Sequence, residues 1–220
     1  MFAKDCIDTS IPYLRITDTV AYAIDLMQEF KTDALAVLDQ DIFLGIVTEQ
    51  QLLELDDLNT LQTVQDYLLP YKVDESTHIF DILKTSAEFS TFFIAVITAN
   101  NEYIGITSPQ KLLQQFTQAS SITTIGGIII LELETKDYSL TEISKIVESN
   151  NAVILHSMIA NNTENISKIF VSLKINKIDL KDILLSFERY QYNVIAVLHQ
   201  SEYELQLKER YDSLMRYLEI

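Results

Sequence analysis

The sequence predicts a mixed α/β (α+β) protein, a duplicated unit followed by a smaller domain. Three observations predict it. Gly45 and Gly105 sit 60 positions apart in similar surroundings, and apolar runs in the order β-α-β-β-α-β follow from Ile128 onward. A hydrophobic content of 48% over 220 residues supplies more than one core.

The duplication is read from two segments, residues 34–53 and 93–113, which align once a single residue is added in the second turn. Each reads as an apolar strand, a polar turn (Asp39-Gln40-Asp41 or Asn100-Asn101), a strand holding the glycine, and a helix. Upstream of each hairpin lies a helical pattern: Val20, Ile24 and Met27 in the first copy, Ile79, Ile82 and Leu83 in the second. Asp18 or Thr19, and Ser76 or Thr77, are the expected caps of these helices.

Residues 117–124 carry no charge and no sustained apolar period, so they read as a linker. Gly126-Gly127 then opens a strand over 128–134, and Ser139 with Glu142 forms a capping box for a helix buried through Ile143, Ile146 and Val147. Strands over 152–159 and 166–175 flank an Asn-rich turn. Asp179 caps a helix with Leu180, Ile183, Leu184 and Phe187 on one face, and residues 192–198 form the final strand. This order is ferredoxin-like. Ser201 and Glu204 start a C-terminal helix with Leu207, Tyr211, Leu214, Met215 and Leu218 in one stripe, covering its own domain or packing on another subunit.

Charge excludes several partners. Lys and Arg total 16 against 32 Asp and Glu, a formal charge of −16, so nucleic acid and anionic membranes are not expected partners. Residues 1–120 alone hold 6 basic and 18 acidic side chains, so an anion meets repulsion there. The lone Cys6 cannot form an intramolecular disulfide, and neither an apolar leader nor a membrane-length apolar run is seen, so a cytoplasmic location is expected. His78, His156 and His199 fall in separate elements. No metal-ligand spacing, phosphate loop or nucleophile elbow points to catalysis.

The repeated unit ending in Gly45-Ile46-Val47-Thr48 and Gly105-Ile106-Thr107-Ser108 resembles the CBS domain over residues 7–118. The resemblance implies a pair of repeats, about 7–60 and 61–118, whose clefts bind an adenosine nucleotide or related ligand: AMP, ADP, ATP or S-adenosylmethionine. It carries Thr48 and Ser108 over as phosphate-binding hydroxyls, with Thr19, Thr77, Gln51, Lys111, Ala36 and Ala95 as the other candidate ligand-binding positions. This chain departs from the family pattern at several of them. The ribose carboxylate is replaced by Gln51 and Lys111, and the proline of the first hairpin strand by Ala36 and Ala95.

Thr48 with Gln51 also makes a capping box, and Ser108 precedes Pro109 at a helix start, so pure capping is a competing reading for both hydroxyls. Behind such a pair, residues 126–200 resemble an ACT domain, as in the acetoin utilisation protein family, and with the C-terminal helix this domain is expected to run over 126–220. That resemblance implies amino-acid binding at the turn 135–138, which here lacks glycine, and a homodimer formed through sheet edges. The expected role is a non-catalytic ligand sensor acting through a homodimer. The alternatives are a scaffold with empty clefts and, more remotely, a small enzyme.

Overall fold

A computed structural model describes residues 1–56 and 58–198; the expected C-terminal helix and His199 lie outside the described residues. The chain divides into two compact units, 1–119 and 120–220.

In the first unit a leading 3-10 turn, Ala3–Cys6, precedes β1 (Tyr13–Arg15), α1 (Val20–Phe30), the hairpin β2 (Ala34–Asp39) and β3 (Ile42–Thr48), and α2 (Glu49–Leu52). A second 3-10 segment, Leu61–Tyr67, precedes β4 (Lys72–Asp74), α3 (Ile79–Phe89), β5 (Ala95–Ile97), β6 (Tyr103–Ile106) and α4 (Pro109–Ala119). Each copy forms a three-stranded sheet, β1-β2-β3 or β4-β5-β6, whose first pair is parallel and second antiparallel.

Val20, Ala23 and Met27 of α1 are buried, as are Ile79 and Ile82 of α3, which is the face the apolar spacing predicts. Ile24 and Leu83 pack beside them, partly buried. Thr19 caps α1 through its hydroxyl, which accepts from the Tyr22 N–H. The cap of α3 is His78, not Ser76 or Thr77: its Nδ1 accepts from the Phe80 N–H at 3.3 Å. Ser76 donates its hydroxyl to Asp74, and Thr77 lies one residue before the cap position, its carbonyl accepting from the Ala3 N–H.

The two copies are related by an approximate twofold arrangement visible in the backbone pairing. Phe43 N–H donates to Asn101 and Tyr103 N–H to Asp41, so each hairpin turn meets its own counterpart 60 positions away. The leading segments cross over. Ala3 and Cys6 lie in the core of the second repeat, whereas Leu61 and Val64 lie in the core of the first. Ile7 bridges to Thr107 and, in the equivalent place, Leu69 bridges to Ile46. Between the sheets a shared apolar cluster holds Ala34, Ala36, Leu38, Phe43, Ile46, Ala95 and Ile106.

The copies differ in their last helix. α4 runs 11 residues and buries Leu112, but α2 stops after 4, with Leu52 buried and Leu55 packed against the same core. Both copies carry the helix the sequence predicts after the glycine strand, but in the first it is a single turn. β1 and β4, three residues each, add a parallel strand to each hairpin that the sequence did not suggest.

The second unit has the elements β7 (Gly127–Glu134), α5 (Leu140–Glu148), β8 (Ile154–Asn161), β9 (Lys168–Ile175), α6 (Lys181–Arg189) and β10 (Asn193–Leu198). Its antiparallel sheet has the order β10-β7-β9-β8, the ferredoxin-like arrangement. Ile129, Leu131, Val171 and Leu173 alternate inward against Ile143, Ile146 and Val147 of α5 and Ile183 and Phe187 of α6. Ser139 caps α5 by accepting from the Glu142 N–H, but the reciprocal half of the expected box is absent from the cap, and the Glu142 carboxylate instead bonds Tyr192. Leu180 is the N-cap residue of α6, with Asp179 accepting from the Lys181 N–H.

Candidate functional site

A cleft of about 730 Å³ in the first unit is lined by both repeats. Its walls follow from the way each first helix ends. α1 closes on Lys31 and α3 on Ser90, both left-handed at φ 53°, a conformation that costs a non-glycine residue about 1–2 kcal/mol. Each is followed by a threonine: the Thr32 hydroxyl donates to the Ala34 carbonyl at the start of β2, and the Thr91 hydroxyl accepts from the Phe93 N–H just ahead of β5. Lys31, Thr32, Ser90 and Thr91 face the cleft.

Its lining mixes apolar and polar side chains, with Met27, Thr32 and Ser108 buried. Phe30 and Phe92, 42% and 48% exposed, bring aromatic surface to the cleft. At the start of α4, Ser108 caps the helix: its Oγ accepts from the Lys111 N–H at 3.2 Å. The same hydroxyl donates to Asp8 Oδ2 at 2.5 Å. Asp8 arrives from the crossing leading segment, where its other oxygen accepts from the Ser10 N–H and hydroxyl. Burial works to raise the Asp8 carboxyl, but the hydrogen bonds from Ser10 and Ser108 and the nearby Lys111 charge outweigh it and hold it below the usual range.

Among the eight candidate positions only Ser108 lines this cleft. Thr48 and Gln51 form a complete capping box at α2, and the Gln51 amide also donates to the Tyr67 carbonyl at 2.8 Å. Gln51 lines a separate apolar recess of about 350 Å³ beside Val64 and Leu68. Lys111 is half-buried and acts on Asp8 through its charge. Thr19 and Thr77 sit where the crossing segments dock, Thr19 bridged to Thr60 and Thr77 bonded to Ala3. Ala36 and Ala95 are fully buried between the sheets, so neither side chain reaches a ligand in an open cleft. Sequence reading missed Asp8. Its only local signal is the Asp-x-Ser turn, which gives no hint of a partner 100 positions away.

Elsewhere in the chain Cys6 is buried, and its thiol is pushed up by that burial and by Asp5. Among the described residues there is no cluster of metal-ligating side chains, and no helix is long and apolar enough to cross a membrane.

A family model for the CBS domain matches residues 3–57. No curated protein matches the chain. Among solved structures, a CBS domain pair/ACT domain protein from Thermotoga maritima is 24% identical, covering 54% of this chain and 98% of its own, with a TM-score of 0.49. The CBS domains of a transcriptional regulator from Streptococcus pneumoniae are 18% identical over 52% of this chain and 98% of their own, at a TM-score of 0.48. CBSX2 in complex with AMP is 21% identical over 53% of this chain and 96% of its own, at 0.45.

Proposed function

We propose that residues 1–118 are a tandem CBS pair acting as a non-catalytic sensor, which binds an adenosine-type ligand in the cleft that both repeats line. The carrying observation is the cleft itself. About 730 Å³ is within the range of small-molecule sites, and the walls come from equivalent points of the two repeats. A ligand that touches both repeats binds more tightly to one relative placement of them than another, which is what a sensor requires.

The second unit completes the reading as an ACT-like domain. Among the described residues β8 and β10 are the edge strands of its sheet, and residues 158–161 of β8 are exposed. Edge pairing with a second copy supports a homodimer as the assembly through which ligand binding acts. The turn after β7 is a 3-10 segment, Thr135–Asp137, without glycine, so the adenosine-type site, not an amino-acid site, carries the sensing role.

A second reading, a scaffold with unoccupied clefts, is favoured by one observation: Gln51, where the family has its ribose carboxylate, is engaged in the α2 cap. A thermal-shift screen against adenosine, AMP, ADP, ATP and S-adenosylmethionine separates the two. A ligand at about 100 times its Kd adds roughly 2.7 kcal/mol, and flat melting curves throughout would leave the scaffold. Light scattering reads the assembly, a monomer mass of 25.2 kDa counting against the dimer.

A further inference from the structure

Resting on the adenosine-type reading and deepening it, we propose that Asp8 sets the ligand class of the cleft. Its carboxylate stands at the start of α4 where a ligand phosphate would bind, so the site selects ligands that are neutral or cationic and turns away phosphorylated ones.

The argument starts from the donors a phosphate would need. A helix start binds anions through backbone N–H groups and nearby hydroxyls. At α4 most of that supply is already used, the Gln110 N–H alone having no bond within the described residues. Pro109, the first helical residue, has no N–H; the Lys111 N–H is bonded to Ser108 Oγ; and the single proton of the Ser108 hydroxyl goes to Asp8. An incoming phosphate that takes the Ser108 hydroxyl must break its bond to Asp8, and one that settles for the Gln110 N–H still sits beside the carboxylate.

The rest of the wall makes that worse. The charged side chains lining the cleft are Asp8, Asp33 and Glu49 against Lys31, three carboxylates to one ammonium, with Lys111 beside Asp8. The lowered pKa of Asp8 keeps it ionised at neutral pH. A ligand bearing a positive group finds complementary charge in the same place, and a bare nucleoside meets no penalty.

The test uses the full-length protein and isothermal titration with adenosine, S-adenosylmethionine and AMP. Adenosine and S-adenosylmethionine are expected to bind roughly tenfold or more tightly than AMP. Asp8→Asn keeps an oxygen for the Ser10 turn but removes the charge, and should bring AMP to within about threefold of adenosine or ahead of it. AMP binding the unmodified protein as well as adenosine does, or an unchanged ratio in the variant, overturns the proposal. If Asp8→Asn fails to fold, Asp8→Thr carries the same comparison.

Inorganic phosphate supplies an arm independent of any nucleoside. It should raise the melting temperature of Asp8→Asn and leave that of the unmodified protein unchanged, and an equal response in the two overturns the role of Asp8. Should no adenosine compound bind either protein while the phosphate difference appears, the adenosine reading falls and the assignment of Asp8 stands.

Discussion

Gly45 lies directly beneath Leu68: a Cβ built on the glycine would come within 2.5 Å of the leucine Cβ. The contact is made because the segment leading into the second repeat crosses over the β3 strand of the first, and only a residue without a side chain lets it lie that close. Gly105 meets Ile7 in the equivalent place.

Gly45→Ala should therefore lower stability by about 1–3 kcal/mol, because overpacking here pushes on the first carbon of a side chain and on the backbone behind it. Gly105→Ala presses on the branch of Ile7, which can yield a little, and should cost less. Urea unfolding of both variants measures the difference, and a Gly45→Ala midpoint equal to that of the unmodified protein would contradict the crossing geometry.

The capping box at α2 separates two roles for Thr48. Thr48→Ala should cost about 1 kcal/mol of stability, the usual worth of a lost N-cap, and Thr48→Ser should be nearly neutral. Because Thr48 does not line the 730 Å³ cleft, ligand affinity in both variants should match the unmodified protein. A large affinity loss in Thr48→Ala, measured by titration on folded protein, would return Thr48 to the binding site.

Alkaline stability is set in part by Tyr192. Burial, then the hydrogen bond to Glu142 and that carboxylate's charge, push its hydroxyl up to about 12 from an ordinary 10.0. A folded-state pKa above the unfolded one means the native protein holds its proton longer, so the contribution is whole below pH 10 and is lost as pH rises toward 12. Tyr103, buried beside Tyr13, shifts in the same direction. Urea midpoints between pH 9 and pH 12 should fall less steeply for Tyr192→Phe than for the unmodified chain, and identical slopes would refute the assignment.

The parts of this fold that repeat were readable, and the parts that depend on distant contact were not. Both hairpins announce themselves because Leu35 and Val37 bury on one side of the sheet and Ala34 and Ala36 on the other, giving continuous apolar runs bounded by polar turns. β1 and β4 span only three residues, too few for a period to show. His78 as a cap was hidden by two better cap-formers just before it, Ser76, whose hydroxyl is bonded to Asp74, and Thr77, whose backbone is paired with Ala3 and Asp74.

The site shows the same division. Ser108 was legible from Ser-Pro at a helix start, a purely local signal. Its link to Asp8 spans 100 positions and depends on a segment that packs against the other repeat, so no spacing rule in the linear sequence could have found it. Ala36 and Ala95 were placed in the cleft by alignment to a family pattern; the sheet-to-sheet packing of this chain buries them.

The interleaving of the two repeats also governs how the first unit can assemble. Leu61 and Val64 help fill the first core, so that core stays unfinished until chain beyond residue 60 has been made. Meanwhile Ala3 and Cys6 must wait for Ile94, Val96 and Leu112 before they have anything to bury against. Contacts closing loops of this length tie the two halves into one cooperative folding event, in which residues 3–6 find their place only after residues 94–112 have been made.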